Sequence, residues 1–146
     1  MKWTEFNEST KEYPEVVVEN AISGFSNATK KLAELGISKK SEMGLITSRL
    51  TSKFQFDLDL FSDQLEDYSF TVLEFGYDIE LFPVRIKIEP TILAEINKNG
   101  ELSLPKIFSI DTEENFKKIL DSIFSTERFK EIVAGLMKIA KKSDTF

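Results

Sequence analysis

The stretch FQFDLDLFSDQLEDYSFTVLEFGYDIELFPV, Phe54–Val84, decides the fold. Asp57, Asp59, Asp63, Glu66, Asp67, Glu74, Asp78 and Glu80 give it eight acids. Phe54, Phe56, Phe61, Tyr68, Phe70, Phe75, Tyr77 and Phe82 give it eight aromatics, and no Lys or Arg interrupts them. From Phe54 the apolar positions Phe54, Phe56, Leu58 and Leu60 alternate with Gln55, Asp57 and Asp59, which is the period of a half-buried strand. The polar run Ser62–Asp67 reads as a turn, and Tyr68–Phe75 as the next strand, with Gly76 marking a bend or bulge. A third strand is expected over Tyr77–Glu89. Its inward set changes from Tyr77, Ile79 and Leu81 to Val84, Ile86 and Ile88, so a bulge and an edge position are expected at Pro83. Three strands joined by short links predict an antiparallel meander, wet and negative on one face and dry on the other.

Helices are expected on both sides of that sheet in the chain. Pro14 can open a helix, with Glu15 and Glu19 near its positive end. Val18, Ala21, Ile22, Phe25, Ala28, Leu32 and Leu35 then fall in steps of three and four, predicting one helix over Pro14–Leu35 with Gly36 as its cap. Residues 38–52 fit a short helix capped near Ser41, or a strand through Ile46, Ser48 and Leu50; the helix is slightly favoured. Asn99–Gly100 between Thr91–Ile96 and Leu102–Ile110 predicts a hairpin, with a helix from Pro90 to Lys98 as the competing reading. Asp111 and Glu114 resemble a capping box for a helix carrying Phe116, Ile119, Leu120, Ile123 and Phe124. A last helix follows Ser125 or Thr126, with Phe129, Ile132, Val133, Leu136, Met137 and Ile139 inward and Lys138, Lys141 and Lys142 near its negative end. The expectation is a single α+β domain over residues 1–146: about four to five antiparallel strands packed against an N-terminal helix and two C-terminal helices. Residues 1–13 read as a loosely ordered tail, or one docked by Trp3 and Phe6.

At 146 residues the chain can bury a proper core without staples. It contains no Cys and no His, which excludes thiolate and Ser–His or Cys–His catalysis and the usual zinc ligands. No apolar run approaches the roughly 20 residues that span a bilayer, and none near Met1 has signal-peptide length, so a soluble, cytoplasmic protein is expected. The glycines never cluster into a phosphate-cradling loop, and no cofactor motif is present. The net charge is −6, while Phe54–Val84 alone carries −8, leaving +2 for the remainder. That balance disfavours direct nucleic-acid or anionic-membrane binding and suits a basic protein partner. The pairs Lys30–Lys31, Lys39–Lys40, Lys117–Lys118 and Lys141–Lys142 read as ordinary solvated faces.

Asp57 and Asp59 leave one face of one strand about 7 Å apart, a spacing at which they could share Mg²⁺ or Mn²⁺ or act as an acid–base pair. A charged, solvated strand face is the simpler account, because hard cations need more than two oxygen ligands. Asp78, Glu80 and Glu74 extend the pattern across neighbouring strands into one negative patch. Such a patch repels itself, and a cationic partner would relieve it; protection of sheet edges from aggregation is the alternative. Phe54, Phe56 and Phe70 read as core. Phe61, Tyr68 and Tyr77 are candidate anchors at the rim, and Asp63, Glu66 and Asp67 would complete the surface. The functional expectation is a non-catalytic binding protein that docks and blocks a basic partner. Its most concrete form is an immunity protein or antitoxin against a cationic nuclease toxin. The alternatives are a chaperone or adaptor with an apolar face, as a homodimer for instance, and a small metal-dependent enzyme using Asp57, Asp59 and Glu74.

Overall fold

A computed structural model describes residues 1–100 and 103–143. Five antiparallel strands form one sheet in sequence order: β1 (Glu34–Lys39), β2 (Phe54–Phe61), β3 (Ser69–Tyr77), β4 (Val84–Ile88) and β5 (Phe108–Ile110). The helices are α1 (Pro14–Ile22), α2 (Phe25–Ala28), α3 (Glu42–Thr47), α4 (Pro90–Asn99), α5 (Glu113–Phe124) and α6 (Glu127–Ser143). The expected α+β class, the meander, the N-terminal helix and the two C-terminal helices are all present.

The dry face follows from the period-two pattern. Leu58, Leu60, Leu73, Phe75, Val84, Ile86 and Ile88 are buried, together with Val17 and Val18 of α1, Ile92 of α4, Phe116, Leu120 and Ile123 of α5 and Leu136 of α6. Phe56 stacks on Phe75 at 5.3 Å, and Phe75 meets Phe116 at 6.0 Å, so rings carry the sheet–helix contact. The register slips between Leu58 and Asp59, where Val72 of β3 is the extra residue. Gly76 is no bulge. It stays in register opposite Gln55, and a Cβ there would lie 2.7 Å from Ser52 Cβ.

Four further expectations are corrected. The first helix does not reach Leu35. It ends at Ile22, Gly24 takes φ +86°, and after the single turn of α2 Lys30 and Lys31 are both left-handed. The buried Thr29 hydroxyl holds this reversal, bonding the carbonyls of Ser26 (3.1 Å) and Ala33 (2.8 Å). Leu35 and Ile37 then pair with Leu60 and Leu58 in β1, so strand pairing outbids the helical period they also satisfy. Gly36 is therefore a strand residue lying under the Phe61 ring, where a Cβ would come within 3.0 Å of that ring.

The expected strand Tyr77–Glu89 is interrupted. The chain leaves the sheet at Asp78, turns through an Asp78 carbonyl to Leu81 N–H bond of 2.9 Å, and re-enters at Val84. The phase change is a loop and not a bulge, and β4 is not an edge, since β5 pairs with it. The expected hairpin gives way to its competitor: Pro90–Asn99 is helix α4, started by Glu89, whose carboxylate accepts from Thr91 N and Ile92 N at 3.0 Å each. Only Phe108–Ile110 is strand, and Leu102 lies outside the described residues. Finally, Thr112 and not Asp111 caps α5, accepting from Asn115 N at 3.2 Å.

Residues 38–52 contain the short helix α3, with Ser41 accepting from Gly44 N at 3.0 Å. Of the two expected starts, Ser125 or Thr126, α6 follows Thr126, whose hydroxyl caps it by taking the Phe129 N–H at 3.2 Å. The Glu95 carboxylate of α4 accepts the next two free amides of that helix, Glu127 N (2.7 Å) and Arg128 N (2.8 Å). A carboxylate at the positive end of a helix locks α4 to α6. Residues 1–12 contain no helix or strand; Trp3 and Phe6 touch each other, both are exposed, and they do not dock the tail.

Candidate functional site

The acids of residues 54–84 fall into three places. The first is the centre of the sheet's second face. Asp57 of β2 lies opposite Glu74 of β3, which lies opposite Lys87 of β4. Lys40, just past β1, lays its ammonium between the two carboxylates, 2.7 Å from Asp57 and 2.5 Å from Glu74, and only 8 % of its side chain is exposed. Lys87 reaches the other Glu74 oxygen at 3.4 Å. Asp59 accepts from the Thr71 hydroxyl at 2.7 Å, and Arg85 of β4 donates to Thr51 at 2.6 Å. The centre of the face therefore sets three acids (Asp57, Asp59, Glu74) against three bases (Lys40, Arg85, Lys87), while Glu34 at its β1 edge accepts from the Ser26 hydroxyl at 2.7 Å. No base interrupts Phe54–Val84 in sequence, but the strands on either side of it supply the cations in space.

Electrostatics follow from that geometry. Burial works against the Lys40 ammonium, yet the hydrogen bonds and charges of Asp57 and Glu74 outweigh it and raise its pKa. Burial also opposes the Glu74 carboxylate, but Lys40 and then Lys87 hold its pKa below the ordinary value. For Asp57 burial wins, and repulsion from Glu74 and Asp59 adds to it against Lys40, so its pKa is raised. The point on which Asp57 and Glu74 converge is filled by an ammonium, which leaves the pair no room to hold a divalent cation. Among the described residues no group of three or more Asp or Glu is placed to ligate a metal.

The second place is the β3–β4 loop. Asp78 is used structurally, accepting the Lys53 N–H at 2.8 Å, while Glu80 is exposed. Tyr77 is not at a rim. It is buried, and its hydroxyl donates to the Glu15 carboxylate of α1 at 2.7 and 2.9 Å. Burial and that carboxylate push its pKa well above the ordinary range. Phe61, over Gly36, is likewise spent within the sheet.

The third place is the β2–β3 turn, at the opposite end of β3. Asp63, Glu66, Asp67 and Tyr68 are exposed there, and Asp67 adopts φ +62°, a left-handed turn conformation that Asp tolerates. Among the described residues, no ion pair or side-chain hydrogen bond occupies these four. Beside them runs a groove of about 410 Å³, closed on the other side by α6. Leu65, Ile132, Leu136 and Ile139 make it apolar, Glu66 and Glu131 flank it, and Tyr68 stands at its edge. Ile139 is 57 % exposed and Tyr68 41 %. Gly135 opens the groove's helical wall: a Cβ added there meets nothing within 4 Å. Of the expected surface, then, the structure groups Asp63, Glu66, Asp67 and Tyr68. It separates Asp57, Asp59, Phe61, Glu74, Tyr77, Asp78 and Glu80 from them. The sequence reading missed Glu131 and Gly135, because the turn and α6 are far apart in the chain.

In class, the molecule is an α+β meander backed by helices, with one polar face quenched from within and one acidic groove left open. No family model, no curated protein and no solved structure matches the chain.

Proposed function

We propose that this chain is a non-catalytic binding protein that docks and blocks a basic protein partner at the groove between the β2–β3 turn and α6. The observation that carries this reading is the coincidence there of the unpaired Glu66, an exposed Tyr and an open apolar floor, with Glu131, which keeps a loose 3.9 Å contact to Arg128, on the helical side. Such a site suits a partner segment that offers a Lys or Arg beside an apolar side chain. Carboxylates at the rim steer the encounter and set its salt dependence; Tyr68 and the floor supply the slow dissociation. An immunity protein or antitoxin against a cationic nuclease toxin is the most concrete form, and it places the protein in the cytoplasm of the cell it protects. No helix among the described residues is long and apolar enough to cross a membrane. The chaperone and homodimer readings would need a broader apolar face than this groove.

The test uses the basic proteins encoded next to this gene, because inhibitors commonly neighbour their targets. Titration calorimetry would compare the wild type with Gly135→Leu, which fills the groove from a helical position with free space, and with Glu66→Gln/Glu131→Gln. Binding that weakens at high salt and is lost in Gly135→Leu supports the reading. Equal binding by the filled and unfilled proteins overturns it.

A further inference from the structure

A second cleft lies between the end of β4, helix α4 and the loop 104–107 that leads into β5; its volume is about 610 Å³. Its floor is apolar, made by Ile88, Leu93, Ala94 and Ile107. Its charged residues all have one sign. Arg49 arrives from the α3–β2 connection, Lys87 from β4 and Lys106 from the loop, and no carboxylate is among the described residues that line it.

In a chain with 25 acids against 19 bases, a lining of three cations and, among the described residues, no acid runs against the composition. Two of the three cations are also uncommitted. Arg49 and Lys106 make no ion pair or side-chain hydrogen bond with the described residues, whereas Lys87 keeps its contact with Glu74. Of the described acids next to lining residues in the chain, Glu89 is occupied as the α4 cap and Glu95 as the acceptor of the Glu127 and Arg128 amides. A cleft of like charges above low-dielectric walls focuses the field and raises the local concentration of counter-ions.

The cleft is also held open. Asn97 of α4 clamps the loop with two bonds to one residue, donating to Leu104 O at 2.9 Å and accepting from Leu104 N at 2.8 Å. The helix is fixed at its start by the Glu89 cap, and the loop at its end by the pairing of Phe108 with Ile86. A pre-formed concave site of this size, apolar with a few convergent polar groups, has the form of a small-molecule pocket.

We infer that this cleft binds a small organic anion: a carboxylate or phosphate-monoester head held by Arg49 and Lys106, on an apolar body lying over Leu93, Ala94 and Ile107. The guanidinium fork matches either head group with two parallel hydrogen bonds, and Lys106 adds a mobile point charge. The site shares no residue with the acidic groove, so its occupancy stands or falls independently of the partner.

Titration calorimetry with four dissolved probes tests this: decanoate, decyl phosphate, decanol and inorganic phosphate. The proteins compared are the wild type, Arg49→Gln/Lys106→Gln and Ala94→Trp, each first checked for unchanged unfolding temperature. Saturable one-to-one binding of decanoate or decyl phosphate is expected, and which of the two binds tighter identifies the head group. The double variant should weaken it at least about tenfold, the loss of one charge-assisted hydrogen bond, and Ala94→Trp should remove it. Decanol binding as tightly as the anions, or inorganic phosphate binding as tightly as decyl phosphate, would overturn the proposal, as would unchanged affinity in the double variant. Binding to phosphatidylglycerol vesicles without binding of the dissolved probes would overturn it in favour of a membrane surface.

Discussion

Asp57 and Glu74 on the sheet, and Glu66 and Asp67 on the turn, come from one acid-rich stretch, yet they have opposite fates. The sheet pair is enclosed: Lys40 is wedged between them, Lys87 backs Glu74, and side-chain exposure is 26 % and 21 %. The turn pair is exposed and unpaired. Glycine marks the same contrast. A methyl at Gly76 would strike Ser52, while one at Gly135 meets nothing. Carboxylates on a closed surface are structural parts, and those beside an open groove are available to a partner. A count of acids cannot separate the two roles; only the position of the nearest cation can.

Breaking the locked face gives the largest expected effect. Lys40→Met leaves two partly buried carboxylates facing each other, and removal of one partner from such a cluster costs about 3 kcal/mol. Urea unfolding measures it, and a loss no larger than that of an exposed lysine would erase the contrast. Gly76→Ala comes next, with about 1–2 kcal/mol lost to overpacking, because Ser52 and the Phe54 carbonyl both stand in the way. Gly135→Ala has the opposite sign and gains up to about 1 kcal/mol, the ordinary helix-propensity difference in open space. The smallest effect belongs to Glu66→Gln/Asp67→Asn, which should leave stability within about 0.5 kcal/mol while flattening the salt dependence of partner binding.

The pH dependence sharpens the same comparison. Lys40 has a raised pKa, so its contribution is complete below its ordinary value of 10.5 and is lost as pH rises through the higher folded value. Tyr77, also raised, adds loss in the same direction above its ordinary 10.0. Glu74 is lowered, so its contribution is present above 4.5 and disappears as pH falls through the folded value beneath it. Asp57 is raised and has the reverse sign on the acid side: its protonation favours the fold and partly offsets the loss at Glu74. Stability should therefore fall steeply at the alkaline end, and the slope should lessen in both Lys40→Met and Tyr77→Phe.

Much of this was written in local pattern. The alternation from Phe54 to Leu60, the set Val84, Ile86 and Ile88, and the helical stripes from Phe116 to Phe124 and Phe129 to Ile139 each impose one buried face, and the structure buries it. The Ser41 and Thr126 caps are equally local, because a cap bonds amides only two or three residues away. Leu32–Ile37 defeated pattern reading because its residues satisfy a helical stripe and a strand equally, and β2 was there to pair with. Pro90–Asn99 failed similarly: Asn99–Gly100 suits a hairpin, but the Glu89 cap and the burial of Ile92 and Leu93 favoured a helix.

The sequence by itself determined the layers of this protein: an antiparallel meander centred on Phe54–Ile88, dry on one side, closed by helices whose apolar stripes fit that side. Periodicity suffices for this because burial is decided residue by residue along each element. Only the tertiary structure decided what the charges do. Lys40 meets Asp57 and Glu74 across strands, Glu66 shares a groove with Glu131 and Gly135 from almost half the chain away, and Arg49 lines one cleft with Lys106 from more than a third of it away. Electrostatic interaction depends on separation in space and on the solvent between the groups, and neither quantity is carried by position in sequence.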